Sequence, residues 1–110
     1  MKRKTRERYF QQTVNALNEC DIIIRAQPRA LGRKGKQKVM GGLYFPETYE
    51  IRVRNRPDIE NLVLTLIHEA WHHIKPDWGE KKIEEWSCKL FCEFSTNQHK
   101  TLSQFLKRRK

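Results

Sequence analysis

Residues 65–86 read TLIHEAWHHIKPDWGEKKIEEW, and the way polar and apolar residues alternate here decides how the rest of the chain is arranged. An α-helix advances about 100° per residue, so residues four apart share a face one turn apart. With His68 as origin, Asn61, His72 and Thr65 fall at about 20°, 40° and 60°, while Val63, Leu66, Ile67, Ala70 and Ile74 spread over roughly 160° to 260°. The pattern predicts a helix over 59–74 with one face packed on a sheet and the opposite face carrying a polar row that ends in two imidazoles. Asp58 is a suitable N-cap and Pro76 a stop.

Within that helix His68, Glu69 and His72 form the pattern H-E-x-x-H. Two neutral imidazoles at this spacing can both reach one Zn²⁺, and Glu69 points beside the ion rather than at it. The residue types divide the labour of metal-assisted hydrolysis: nitrogen ligands hold the ion, the ion acidifies a water, and a carboxylate takes its proton. The pattern is short enough to arise by chance on a solvated helix face, so its context has to carry the reading.

A catalytic zinc takes three protein ligands and keeps one position open. After His72 the candidates are Asp77, Glu80, Glu84 and Glu85. Gly79 precedes a further helical stretch from Glu80 to Phe94, with Ile83, Ser87, Leu90, Phe91 and Phe94 as its apolar stripe. The short link KPDWG predicts an antiparallel hairpin in which Ala70, midway between the histidines, faces Glu84. Glu84 is therefore the expected third ligand and Glu80, one turn earlier, the alternative; Glu80 could instead favour the positive end of the helix dipole. His73 lies about 100° round from His72 and is expected to be a bystander or a neighbour of the ligands. His99 is expected to be exposed.

Outward from this core the chain supplies the rest of a small α+β domain. Tyr9, Phe10, Val14 and Leu17 recur at helical spacing between Thr5 and Asn18, behind a basic start. CDIIIRAQP, ending at Pro28, reads as a buried strand, and RALGRKGKQK as an exposed basic loop. VMGGLYFPETYEIRVRN reads as two strands joined around Pro46 and Glu47, the second placing Tyr49, Ile51 and Val53 on a buried face. Residues 95–110 suit a short terminal helix and a basic tail. No repeat or linker divides the chain, so a single domain over 1–110 is expected.

Lys and Arg total 23 against 13 Asp and Glu, a net charge of +10, which favours a polyanionic partner such as nucleic acid. The basic segments KRKTRER, RALGRKGKQK and LKRRK hold few aromatics and no base-reading motif, so the expected contact is salt-dependent and sequence-neutral. No apolar run is long enough for a membrane span, and the charged start is followed by no apolar segment of a secretory signal. Cys20, Cys88 and Cys92 form no framework, so reduced thiols and a cytoplasmic setting are expected. Cys88 and Cys92, four apart on a helix, are expected to be small packing residues rather than metal ligands.

TLIHEAWHHIKPDWGEKKIEEW, preceded by the strand pair GGLYFPETYEIRVR, resembles the zincin metallopeptidases, in particular the very small gluzincin-like proteins of phages and mobile elements and the ImmA/IrrE-type peptidases. The resemblance covers roughly residues 41–94 and leaves the first helix and the tail unexplained. It implies a mixed three-stranded sheet whose edge strand lines the cleft, an active-site helix and a following helix with a glutamate ligand. In that picture one zinc is held by His68, His72 and a glutamate, Glu69 is the general base, and an extended peptide pairs with the edge strand at Gly42, Leu43 and Tyr44. Tyr44 and His73 are its candidates for stabilising the oxyanion. The SprT-like proteases, similar in motif and associated with DNA, have a different loop spacing. The function implied is a zinc-dependent peptidase acting near nucleic acid; the alternative is a nucleic-acid-binding or regulatory module whose metal is structural or vestigial.

Overall fold

The computed structural model describes residues 1–25, 42–54 and 58–107. In chain order they form α1 (Arg3–Glu19), β1 (Asp21–Arg25), β2 (Gly42–Phe45), β3 (Glu50–Arg54), α2 (Ile59–Ile74), α3 (Glu80–Glu93) and α4 (Thr96–Ser103), closed by a 3₁₀ turn at Gln104–Lys107. The basic loop expected at 29–38, the strand end at Pro28 and the last residues of the basic tail lie outside the described residues.

The three strands make a mixed sheet in the order β1-β3-β2, with β1 parallel and β2 antiparallel to β3. Ile51 and Val53 of the central strand are fully buried, as the alternation of the segment requires. Tyr49 departs from expectation: it sits in the turn with φ +52, its side chain exposed, and its carbonyl accepts the Asp21 N–H at 2.9 Å. The left-handed conformation turns the chain from β2 into β3 and takes Tyr49 off the face that Ile51 and Val53 share.

Helix α2 starts where the capping chemistry places it. The Asp58 carboxylate accepts the N–H groups of Glu60 and Asn61, which the first turn of a helix leaves without intrahelical partners. The helix was expected to bury one face, yet Thr65 and His68 on its polar row are buried too. The reason is its central position: β2 and β3 pack on one side, α1 and α4 on others, and α3 folds back across the histidines.

Trp71 anchors α2 from the side away from the sheet. Its indole is 1 % exposed and lies within 6.3 Å, centroid to centroid, of the rings of Tyr9, Trp78 and Trp86. The indole N–H donates to Thr13 Oγ1 at 3.0 Å, and the Thr13 hydroxyl donates to the Tyr9 carbonyl at 2.8 Å, so both buried polar groups are satisfied. This fixes the rotation of α2 on α1, and with it the direction in which His68 and His72 project.

Gly42 has a comparable role at the sheet edge. A Cβ there would lie 2.7 Å from the Arg52 carbonyl oxygen, 2.8 Å from Thr65 Cγ2 and 3.5 Å from Glu69 Cγ. Only a residue without a side chain lets β2 approach α2 so closely. Gly42→Ala is expected to destabilise the fold by about 1–3 kcal/mol, the usual cost of overpacking, read as a lower urea midpoint at unchanged slope.

Candidate metal centre

The link from α2 to α3 is drawn tight by backbone bonds: Lys75 N–H donates to the Trp71 carbonyl at 2.8 Å and Trp78 N–H to the Lys75 carbonyl at 3.1 Å. Helix α3 therefore opens directly beside the end of α2, and its first residue is Glu80. Glu80 Oε2 lies 2.9 Å from His68 Nε2, Glu80 Oε1 lies 2.9 Å from His72 Nε2, and the two Nε2 atoms are 3.2 Å apart. His68, His72 and Glu80 offer one ligand atom each, all within 4.8 Å of one another, a group that could hold a metal ion. Two imidazole nitrogens and a carboxylate oxygen are the donor set of many catalytic zinc sites.

Glu80 thus occupies the place expected for Glu84, and the alternative third ligand is the one the fold brings to the histidines. The inward face of α3 is set by Ile83, Ser87 and Leu90, all fully buried. Relative to Ile83, Glu80 lies at about 60° and Glu84 at about 100°, so Glu80 is nearer the buried arc. Phe91 is only partly buried and Cys88 is exposed, so the arc is displaced from the one the stripe suggested. Glu84 is exposed, close enough to the site for its charge to act on His68 but outside the ligand group. Glu80 also stands in the first turn of α3, where the helix dipole favours a carboxylate.

The two buried members of the motif respond oppositely to burial. The His68 imidazole, 5 % exposed, is held below its ordinary pKa mainly by desolvation, against the pull of Glu80 in the other direction. It is therefore neutral at pH 7, the form that ligates a metal. The Glu69 carboxyl, 2 % exposed, is pushed well above the ordinary carboxylate range, first by burial and then by the negative charge of Glu80.

Behind the motif lies a second chain of contacts. The Tyr44 hydroxyl and His73 Nδ1 are 2.6 Å apart, and His73 Nε2 is 2.7 Å from Glu19 Oε1. The Tyr49 ring packs edge-on against His73 at 4.9 Å. His73 is thus the tie between the end of α1, the end of α2 and the edge strand. Glu19 had no signal in the sequence, because it meets His73 across 54 residues. The Tyr44 phenol is pushed up to about 12, chiefly by burial, so it remains an O–H donor across the ordinary pH range.

The other titratable residues stand apart from this centre. Cys20 is buried, its thiol pushed up to about 11 by burial and by Glu19 and Asp21. Cys88 and Cys92 are expected to pack inside; both are exposed, and neither belongs to the group that could hold a metal. They fall on the outer side of α3 because Ile83, Ser87 and Leu90 define the inner one. His99 is not simply exposed: its ring is partly covered, stacks edge-on with Phe91 at 4.6 Å and bonds the Phe91 carbonyl at 2.8 Å. Among the described residues no helix is long and apolar enough to cross a membrane.

No family model, curated protein or solved structure matches this chain.

Proposed function

We propose that the protein is a zinc-dependent peptidase, a small zincin-like enzyme. The observation that carries the reading is the convergence of His68 and His72 of α2 with Glu80 of α3, with the buried Glu69 next to His68 in sequence. Zinc held by these three residues would supply a Lewis acid and an acidified water. Each of the remaining tasks falls to a residue of this chain.

Glu69 is the proton carrier. Its burial gives it a raised proton affinity, which suits a base that must accept a proton and then hand it to a leaving amine. Gly42, Leu43 and Tyr44 are the candidate substrate strand. β2 is an edge of the sheet among the described residues, and Gly42 stands against Glu69 Cγ, so a peptide added to that edge would run past the motif. The structural-metal alternative gives Glu69 no task, since a site that only holds a metal needs no proton carrier.

The reading is tested first by composition. Protein purified without chelator is expected to contain one zinc per chain by elemental analysis, and His72→Ala to contain much less than that. Wild-type protein that carries no stoichiometric metal under these conditions would end the proposal.

A further inference from the structure

The solvent face of α1 has no role in the metal centre, and its chemistry is distinctive. Its inward side is occupied by Thr13, Ala16 and Leu17, which are buried, and by Tyr9 and Phe10, which pack on the core. About 180° away, at helical spacing, run Lys4, Arg8, Gln11 and Asn15, all exposed. The two acidic residues of the helix are engaged elsewhere: Glu7 pairs with Arg3 at 3.7 Å and Glu19 with His73 at 2.7 Å. Among the described residues no ion pair takes up Lys4 or Arg8. The outward stripe is therefore two cations followed by two amides, with Gln11 Nε2 donating to Asn15 Oδ1 at 2.9 Å to hold the amides in line.

We infer that this face of α1 is a docking surface for duplex DNA, seated in the major groove. Three observations support it. The chain carries +10, so a polyanion is the partner its field attracts at a distance. The 17 residues of α1 span about 25 Å, and a helix of about 10–12 Å diameter fits a major groove of about 12 Å width. Amide side chains beyond a basic turn can hydrogen-bond groove edges and sugar-phosphate while the cations hold the phosphates. The helix is seated on the core through its inward side, and its far end is tied through Glu19 to His73 at 2.7 Å. A-form RNA has a deep, narrow major groove closed to such a helix, so duplex DNA is the occupant that fits. The inference does not depend on the peptidase reading, and the metal plays no part in it.

The test is fluorescence anisotropy with full-length protein and a labelled mixed-sequence DNA duplex about two helical turns long, at about 50 and 200 mM salt. Lys4→Ala/Arg8→Ala is expected to weaken binding about tenfold at the lower salt and to reduce the slope of log affinity against log salt by about 1.8, the value for two released counterions. Lys81→Ala/Lys89→Ala removes the same charge from exposed positions on α3 and is expected to change affinity by less than about twofold. Gln11→Ala/Asn15→Ala is expected to weaken binding several-fold with the salt slope unchanged, because neutral amides release no counterions. The inference is overturned if the wild type does not bind, if the α3 pair costs as much as the α1 pair, if the amide pair costs nothing, or if single-stranded DNA or duplex RNA binds as tightly. Zinc content measured on the same samples keeps this outcome separate from the peptidase reading.

Discussion

Glu69→Gln is expected to keep one zinc per chain and to lose peptidase activity by a factor on the order of 10²–10⁴, the usual contribution of a general acid–base group. The atoms that could hold the ion come from His68, His72 and Glu80, none of which the substitution touches. Glutamine fills the same space but cannot take a proton. Digestion of a mixed peptide library followed by mass spectrometry reads the activity, and elemental analysis reads the metal. Undiminished cleavage by a zinc-loaded Glu69→Gln protein would remove Glu69 from the chemistry, and loss of zinc would make it a structural support of the site.

The same substitution has a second expected effect, opposite in sense, on the metal-free protein. The Glu69 carboxyl is pushed above its ordinary value of 4.5 by burial first and Glu80 second, so the metal-free fold holds that proton more tightly than the unfolded chain does. A carboxyl raised in this way costs no stability below pH 4.5; the cost grows as pH rises from there towards the raised value, where the buried group must ionise or stay protonated against the solvent. Metal-free Glu69→Gln is therefore expected to be more stable than metal-free wild type at pH 7, by about 0.5–2 kcal/mol, with the difference vanishing towards pH 4. Urea titrations at the two pH values in the presence of chelator measure it. A bound cation favours the carboxylate and is expected to shrink the gap in the zinc-loaded proteins.

The parts of this arrangement that depend on local spacing were legible in the chain. Asp58 as cap, the 59–74 helix, the His68–His72 pair and the alternation of Ile51 and Val53 follow from periods of 3.6 and 2 and from capping chemistry. What depended on how two elements meet was not legible. The burial of Thr65 on the polar row of α2 was not legible because β2, which packs against it at Gly42, comes from a distant stretch of chain. Tyr49 looked like a strand residue, but the turn needed a left-handed position there. The Glu19–His73–Tyr44 chain joins three elements through contacts 29 and 54 residues apart, and no local pattern encodes such a meeting. Cys88 and Cys92 suit an inward place by residue type, but the buried positions Ile83, Ser87 and Leu90 leave them outside.

The choice between Glu80 and Glu84 is the same problem in its sharpest form, and it carries the second large expected effect. Glu80→Ala is expected to weaken zinc binding by more than the roughly 10–100-fold that loss of an outer hydrogen-bond partner costs, because it removes a ligand rather than its support. Glu84→Ala is expected to change zinc affinity by less than about tenfold, since its carboxylate reaches the site only as a distant charge. Competition with a chromophoric chelator measures both, and both positions are exposed on α3, so neither variant opens a cavity in the core. The two outcomes distinguish two rotations of one helix. With Ile83, Ser87 and Leu90 facing inward, Glu80 is the carboxylate level with the imidazoles; to bring Glu84 there instead, α3 would have to turn by about 40° and slide about 6 Å along its axis, drawing Ser87 and Leu90 out of the core. A zinc affinity that survives Glu80→Ala and collapses in Glu84→Ala would mean that α3 makes that turn when the metal binds, at the expense of packing that the metal-free fold keeps.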